Sequence, residues 1–145
     1  MPIVRPDPYP NFNFLVDLDG NQVAGFSDVE LPEGRIETII HYRDGSDRDT
    51  TPRLLPGRVD YGPLILRRGF TGDTTLYDWW HSVTQGHVDR RNVVVILLDE
   101  TRQEVARWRI RDAWPSKYAP SDLVALGNEV VIETLELTHE GIELA

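Results

Sequence analysis

Apolar and polar positions alternate along much of the chain. In "NFNFLVDLDG", Phe12, Phe14, Val16 and Leu18 share one face, which is the two-residue period of a half-buried strand. Asp19-Gly20 then predicts a hairpin turn, with "QVAGFSDVEL" as the returning strand. "IETIIHYR" and "LILRRGF" predict two more strands. "NVVVILLDE" is apolar almost throughout, the pattern of a strand covered on both faces. "EVARWRIRDAW" alternates again, with Ala106, Trp108 and Ile110 on one side and Arg107, Arg109 and Arg111 on the other. After the polar connector "PSKYAPSDLVALGN", the ending "EVVIETLELTHEGIEL" predicts one long strand or two joined ones.

One stretch has the helical period instead. Gly72-Asp73 opens it, with Asp73 or Thr74 as N-cap, and Gly86 supplies the stop. Between them Leu76, Trp79, Trp80 and Val83 recur at i, i+3, i+4 and i+7, on one helix face. The adjacent tryptophans share that stripe with two aliphatics, so they predict a core anchor in preference to a stacking platform. A buried aromatic contributes about 2–3 kcal/mol through apolar area alone. The expected fold is mainly β, a barrel or sandwich of roughly seven strands with one flanking α-helix. Two segments fit neither period. Residues 1–10 hold four prolines and predict an irregular arm. "DGSDRDTTPRLLPGRVDYGP" predicts a long loop, a kind that compact domains rarely carry without a purpose.

At 145 residues the chain is sized for a single domain. A net charge of −9 argues against a general nucleic-acid binder, which needs concentrated Lys and Arg. The absence of cysteine excludes disulfides and thiolate metal sites. The start has no signal-peptide pattern and no stretch reaches membrane-spanning length. Synthesis in the bacterial cytoplasm without membrane insertion of the monomer is therefore expected.

Candidate chemistry is sparse. Asp17, Asp19, Asn21 and Asp28 fall at calcium-loop positions, but Gln22 stands where the loop needs glycine, so a hairpin turn is preferred. His41, His81, His87 and His139 lack the spacing of zinc ligands. Nucleophile-elbow and phosphate-loop motifs do not occur. We therefore expect no catalytic residues, metal or cofactor. Charge, however, is unevenly placed. The arginine strand is basic, whereas the chain from Asp122 onward carries acidic residues, Glu133 and Glu136 among them, and no Lys or Arg. These surfaces either pair within one chain or join copies head to tail, which makes rings or filaments. A monomeric carbohydrate-binding sandwich using Trp108, Trp114 and Tyr118 is the alternative of a different class, and a hydrolase using His and Asp is more distant.

The blocks "LLPGRVDYGPLILRRGFTGDTTLYDWW", "RRNVVVILLDE" and "GNEVVIETLELTHEGI", in this order, resemble the tail tube proteins of contractile phages and contractile injection systems. The resemblance covers nearly the whole chain from Pro10 onward. It implies a non-enzymatic subunit whose hexameric rings share a continuous inner β-sheet and stack into a tube. That tube lies inside a sheath, between baseplate or spike and cap, and conducts DNA or effector cargo across a target envelope. A baseplate-proximal initiator ring belongs to the same family. The product would be a phage tail or an extracellular or membrane-anchored injection particle. Residues 44–60 would then be the extended loop reaching neighbouring subunits, through Asp44, Asp47, Arg48, Asp49, Arg53, Leu54, Leu55 and Arg58. Arg107, Arg109, Arg111, Glu133 and Glu136 would carry inter-subunit charge pairing. Leu76, Trp79, Trp80 and Val83 would hold the helix to the barrel wall, with Thr75, Asp78 and Ser82 facing outward.

Overall fold

The computed structural model describes residues 13–23, 25–41, 52–127 and 129–145. Its strands are β1 (Phe14–Leu18), β2 (Asn21–Val23), β3 (Phe26–Glu30), β4 (Gly34–His41), β5 (Arg53–Tyr61), β6 (Leu64–Gly69), β7 (Arg91–Leu98), β8 (Glu104–Pro120), β9 (Ile132–Thr138) and β10 (Gly141–Leu144). One helix, α1 (Thr75–Thr84), separates β6 from β7. The main sheet runs β2-β1-β7-β8-β9-β6-β3, with β10 paired to β8 outside this path, and all its pairings are antiparallel. It is not closed into a barrel within one chain. Strands β4 and β5 form a separate two-stranded sheet.

The turn after β1 is as expected. Asp19 and Gly20 both have positive φ, 54° and 90°, and Leu18 pairs with Asn21 across them. That is the primed two-residue turn whose twist suits a hairpin. The returning strand is shorter than expected. It breaks near Gly25 (φ 87°), and its second half, β3, pairs with β6 instead of β1.

The main sheet folds over on itself because β8 is seventeen residues long and bent. Its first half pairs with β7 and β10, its second half with β9. At the corner Asp112 has φ 51°, and Arg111 and Asp112 together face the single residue Asn92. The Asn92 side chain accepts a hydrogen bond from the Asp112 amide at 3.2 Å. This is a bulge, and bulges are how a strand changes direction between sheets.

The two halves of the sheet and the helix share one core. Val16, Leu18, Val93, Val95 and Ile110 come from one half, Leu64, Leu66, Leu135 and Leu137 from the other, and Leu76 and Trp79 from α1. Strand β7 does not have both faces covered as its sequence suggests. Val93 and Val95 are buried, while the alternate residues Val94 and Ile96 are partly open. The period of two won over the apolar run because, among the described residues, only one face of this strand has a layer against it.

The segment expected as an irregular loop at 44–60 is, from Arg53 onward, strand β5. Residues 44–51, with Asp44, Asp47, Arg48 and Asp49, lie outside the described residues, as does the expected arm at 1–10. The hairpin formed by β4 and β5 continues the β3–β6 pair outward, past a break at residues 31–33 and 62–63. Pro32 and Pro63 sit in that break, and neither has an amide hydrogen to give to a ladder. One backbone bond spans it, from the Gly62 amide to the Glu33 carbonyl at 2.9 Å.

Core and hairpin differ in their sensitivity to substitution. Leu135→Ala is expected to lower the unfolding free energy by about 2–5 kcal/mol. Ile40→Ser on the hairpin should change it by no more than about 0.5 kcal/mol. Urea denaturation of both variants measures the contrast.

Candidate assembly surface

On α1 the expected stripe is in place. Leu76 and Trp79 are buried, and Trp80 and Val83 are half-buried. The Trp79 indole donates to the Asp89 carbonyl at 2.7 Å, and the Arg91 guanidinium lies 4.6 Å from its ring centre. Trp80 stacks on Tyr118, with centroids 6.1 Å apart. Thr75 and Asp78 point to solvent, while Ser82 is half-buried and donates to the Trp79 carbonyl. The helix start is tied down by Asp73, whose carboxylate accepts from both the amide and the hydroxyl of Thr75. Those two bonds, and Arg68 nearby, hold the Asp73 carboxyl below the usual carboxylate range.

Beneath the helix start lies a buried polar cluster. Arg68 and Glu133 face each other across β6 and β9, on the same sheet face as Leu64, Leu66, Leu135 and Leu137. Arg68 Nε donates to Glu133 Oε1 at 2.5 Å, and the Tyr118 hydroxyl donates to Glu133 Oε2 at 2.7 Å. Arg68 also reaches the Asp73 carbonyl at 3.2 Å and its carboxylate at 3.5 Å. Burial, reinforced by the hydrogen bond to Glu133, pushes the Tyr118 hydroxyl up to about 12. Glu133 is 1% exposed, with both carboxylate oxygens occupied inside the chain. Its expected place in inter-subunit pairing is therefore corrected, because its charge is neutralised in the core.

The other charged candidates are on the surface. Arg107 pairs with Glu104 at 2.6 Å and Arg111 with Glu143 at 3.6 Å, both within the chain. Arg109 is exposed, and among the described residues it has no carboxylate within ion-pair distance. Glu136 is half-buried on β9, across from Lys117. Intramolecular pairing thus accounts for two of the three arginines and leaves Arg109 available.

Among the described residues, apolar surfaces stay open in several places. The β4–β5 hairpin exposes Ile36 (58%), Ile40 (55%), Leu54 (64%) and Val59 (54%). The cross-strand pairs Ile36–Val59 and Ile40–Leu54 put these four on one face. Ile39 and Leu55 lie opposite each other on the reverse face, where Ile39 covers Gly57. A Cβ on Gly57 would stand 2.9 Å from Ile39 Cδ1 and 3.1 Å from the Glu37 carbonyl oxygen, so the bulge there favours glycine. Arg53 and Arg58 are exposed on the same hairpin. Leu123, Val124 and Leu126 are exposed in the β8–β9 connection. A groove lined by Phe14, Val29, Leu31, Val95, Leu97 and Trp108 opens between β3 and the β1–β7–β8 half.

Among the described residues no group of His, Asp or Glu is placed to hold a metal. The carboxylates at calcium-loop spacing, for which a hairpin turn was preferred, have separate partners: Asp17 caps the turn at Gly20, and Asp28 pairs with Arg67 at 2.8 Å. Trp108 lines the groove while Tyr118 stacks under α1, so these aromatics form no shared sugar platform. No described helix is long and apolar enough to cross a membrane.

Against known proteins, the T4-like virus tail tube protein gp19 family model matches residues 10–143. The chain belongs to that family. No curated protein sequence matches it. Among solved structures, a chain of the anti-feeding prophage baseplate is 26% identical with a TM-score of 0.84, the match covering 97% of each chain. A chain of the tube-terminating cap of the anti-feeding prophage is 22% identical with a TM-score of 0.87, over 100% of this chain and 95% of that one. A chain of the sheath–tube complex of PVC, an extracellular contractile injection system, is 23% identical with a TM-score of 0.84, over 95% and 91%. Hcp1 from Flavobacterium johnsoniae is more distant, 15% identical with a TM-score of 0.63, over 91% and 94%. The tail tube fold and family expected from the sequence are thus found, and the family is a structural one.

Two outcomes test the buried cluster of this tail tube protein. Glu133→Ala, which leaves Arg68 buried without its counter-charge, is expected to destabilise by about 3–5 kcal/mol, and the double change Arg68→Met with Glu133→Leu to recover most of that. Denaturant midpoints decide it. The Tyr118 hydroxyl titrates above its ordinary value of 10.0, so its contribution to stability is complete below that pH and lost as pH climbs to about 12. Phenolate absorbance of wild type minus Tyr118→Phe should show the late-titrating tyrosine.

Proposed function

We propose that this chain is a ring-forming subunit of the inner tube of a contractile injection machine or phage tail, with hexameric rings stacked into a conduit. The observation that carries this is the β4–β5 hairpin, an apolar arm standing off the main sheet of a tail tube fold. Burying the exposed part of each aliphatic, somewhat over half of its surface, would contribute about 1–2 kcal/mol, and nothing among the described residues covers them. We assign the hairpin, with Arg53, Leu54, Leu55 and Arg58, to contact with a neighbouring copy.

The sheet edges support the same arrangement. Among the described residues, the outer sides of β2, β3 and β10 have no strand beside them. Open edges are a hazard in a monomer, and pairing them around a ring removes it. Of the three strand arginines, Arg109 is the one without an ion-pair partner among the described residues, and we assign it to an acidic surface of the next copy, for which Glu136 is the candidate. The net charge of −9 suits a conduit whose wall repels a polyanion. The role is that of a passive assembly component without catalysis, meeting sheath, baseplate and cap proteins and passing DNA or protein without sequence recognition. A baseplate-side initiator ring is the second reading, favoured by the likeness to the anti-feeding prophage baseplate chain.

Purified protein is expected to form rings or tubes in negative-stain micrographs. Ile40→Lys with Leu54→Lys should abolish them while leaving the melting temperature of the monomer within a few degrees. Arg109→Glu should block ring formation with the same preserved fold. Wild type that stays monomeric at high concentration would refute the proposal, and rings that never stack would favour the initiator.

A further inference from the structure

The hairpin meets the main sheet at the proline-flanked break, and one side chain from elsewhere holds that break. His139, in the turn between β9 and β10, has its Nε2 2.7 Å from the Gly62 carbonyl oxygen. Its Nδ1 accepts from the Gly141 amide at 3.1 Å. Its ring also lies 5.7 Å from that of Tyr61, the last residue of β5. Among the described residues, His139 to Gly62 is the one hydrogen bond joining the segment from Gly34 to Gly62 to any residue beyond Glu33.

The two bonds fix the chemistry of the ring. Nδ1 receives a hydrogen from Gly141, so it carries none of its own. The Gly62 carbonyl can only accept, so Nε2 carries the hydrogen. The imidazole is thus neutral, in the Nε2–H form, with each nitrogen engaged by a different element. A hydrocarbon ring in its place could pack against Tyr61 but would leave the Gly62 carbonyl and the Gly141 amide without their partner.

We infer that His139 is a positioning residue that sets the angle of the β4–β5 hairpin on the main sheet by clamping the break at Gly62. Pro32 and Pro63 remove ladder bonds where the hairpin leaves the sheet, which makes a hinge. His139 restores one fixed contact on the departing side of that hinge, tied through Gly141 to the start of β10. Its consequence for assembly rests on the proposal above that the hairpin meets other copies, because an arm free to swing would lose entropy on docking.

The absence of native cysteine allows paired spin labels on Thr38→Cys in the hairpin and Thr84→Cys at the helix end. In the dilute, dissociated protein, wild type is expected to give one narrow distance distribution. His139→Phe should broaden it at least two-fold, and His139→Gln, which keeps a donor for Gly62, should restore much of the narrow component. A distribution equally narrow in His139→Phe would overturn the inference, whatever the state of the rings. Long-range nitrogen–proton spectra of the wild-type imidazole at neutral pH need no variant. They should show the Nε2–H tautomer, and an Nδ1–H or doubly protonated ring would equally overturn the clamp. A broadened distribution with normal tubes would uphold the clamp and count instead against the hairpin as the assembling arm.

Discussion

The bend in β8 is the constraint on which the rest of the structure depends. A strand of seventeen residues cannot stay flat beside both β7 and β9 and still bury leucines against valines from the opposite half. The bulge at Arg111 and Asp112 turns it, so Ile110 before the corner and Ala113 after it both reach the core. The helix then lies along β8, and its Leu76 and Trp79 fill the space between the diverging halves. Losing the corner would separate the two aliphatic groups that now share one interior.

The buried ion pair needs this geometry as well. A charge taken out of water is costly unless its partner and remaining hydrogen bonds are in place. Here three elements converge on Glu133 and Arg68: β8 through Tyr118, the helix start through Asp73, and the β6–β9 register that sets them opposite. An apolar pair at these positions could pack as well. It would not fix where the helix begins, whereas Arg68 bonds to the carbonyl of Asp73 and so ties that residue to the sheet.

Much of this was legible in the residues. Asp19-Gly20 specified its turn, and the leucine–tryptophan stripe between Asp73 and Gly86 specified the helix and its inner face. The even spacing of Leu64, Leu66 and Arg68, and of Glu133, Leu135 and Leu137, also marked a charged pair at core positions. That signal was available, and it contradicts the use of Glu133 as a surface contact. Strand β5 was hidden for a physical reason. Among the described residues nothing covers either face of its hairpin, so no apolar alternation was required of it. Pro56, Gly57 and the bulge between Ile36 and Thr38 shift what period there is. The pairing of β3 with β6 in place of β1 was equally out of reach, since strand partners forty residues apart leave no local mark.

The hairpin follows different rules from the core, and that contrast bears on what the chain does. An isolated two-stranded sheet is marginal in water, and exposed aliphatics on it bring no stability to a single copy. Its bulge glycine and flanking prolines each weaken a ladder that could have been made regular. The same features make sense in an arm whose apolar face is completed elsewhere. The prolines end the main sheet's pairing at a defined place, the bulge bends the arm, and the aliphatic face supplies the area that association requires. A net charge of −9 opposes contact between like copies at a distance, so short-range apolar burial and the few uncompensated cations must supply the attraction. The exposed aliphatics of the hairpin and the guanidinium of Arg109, which has no carboxylate partner among the described residues, are where this chain offers both.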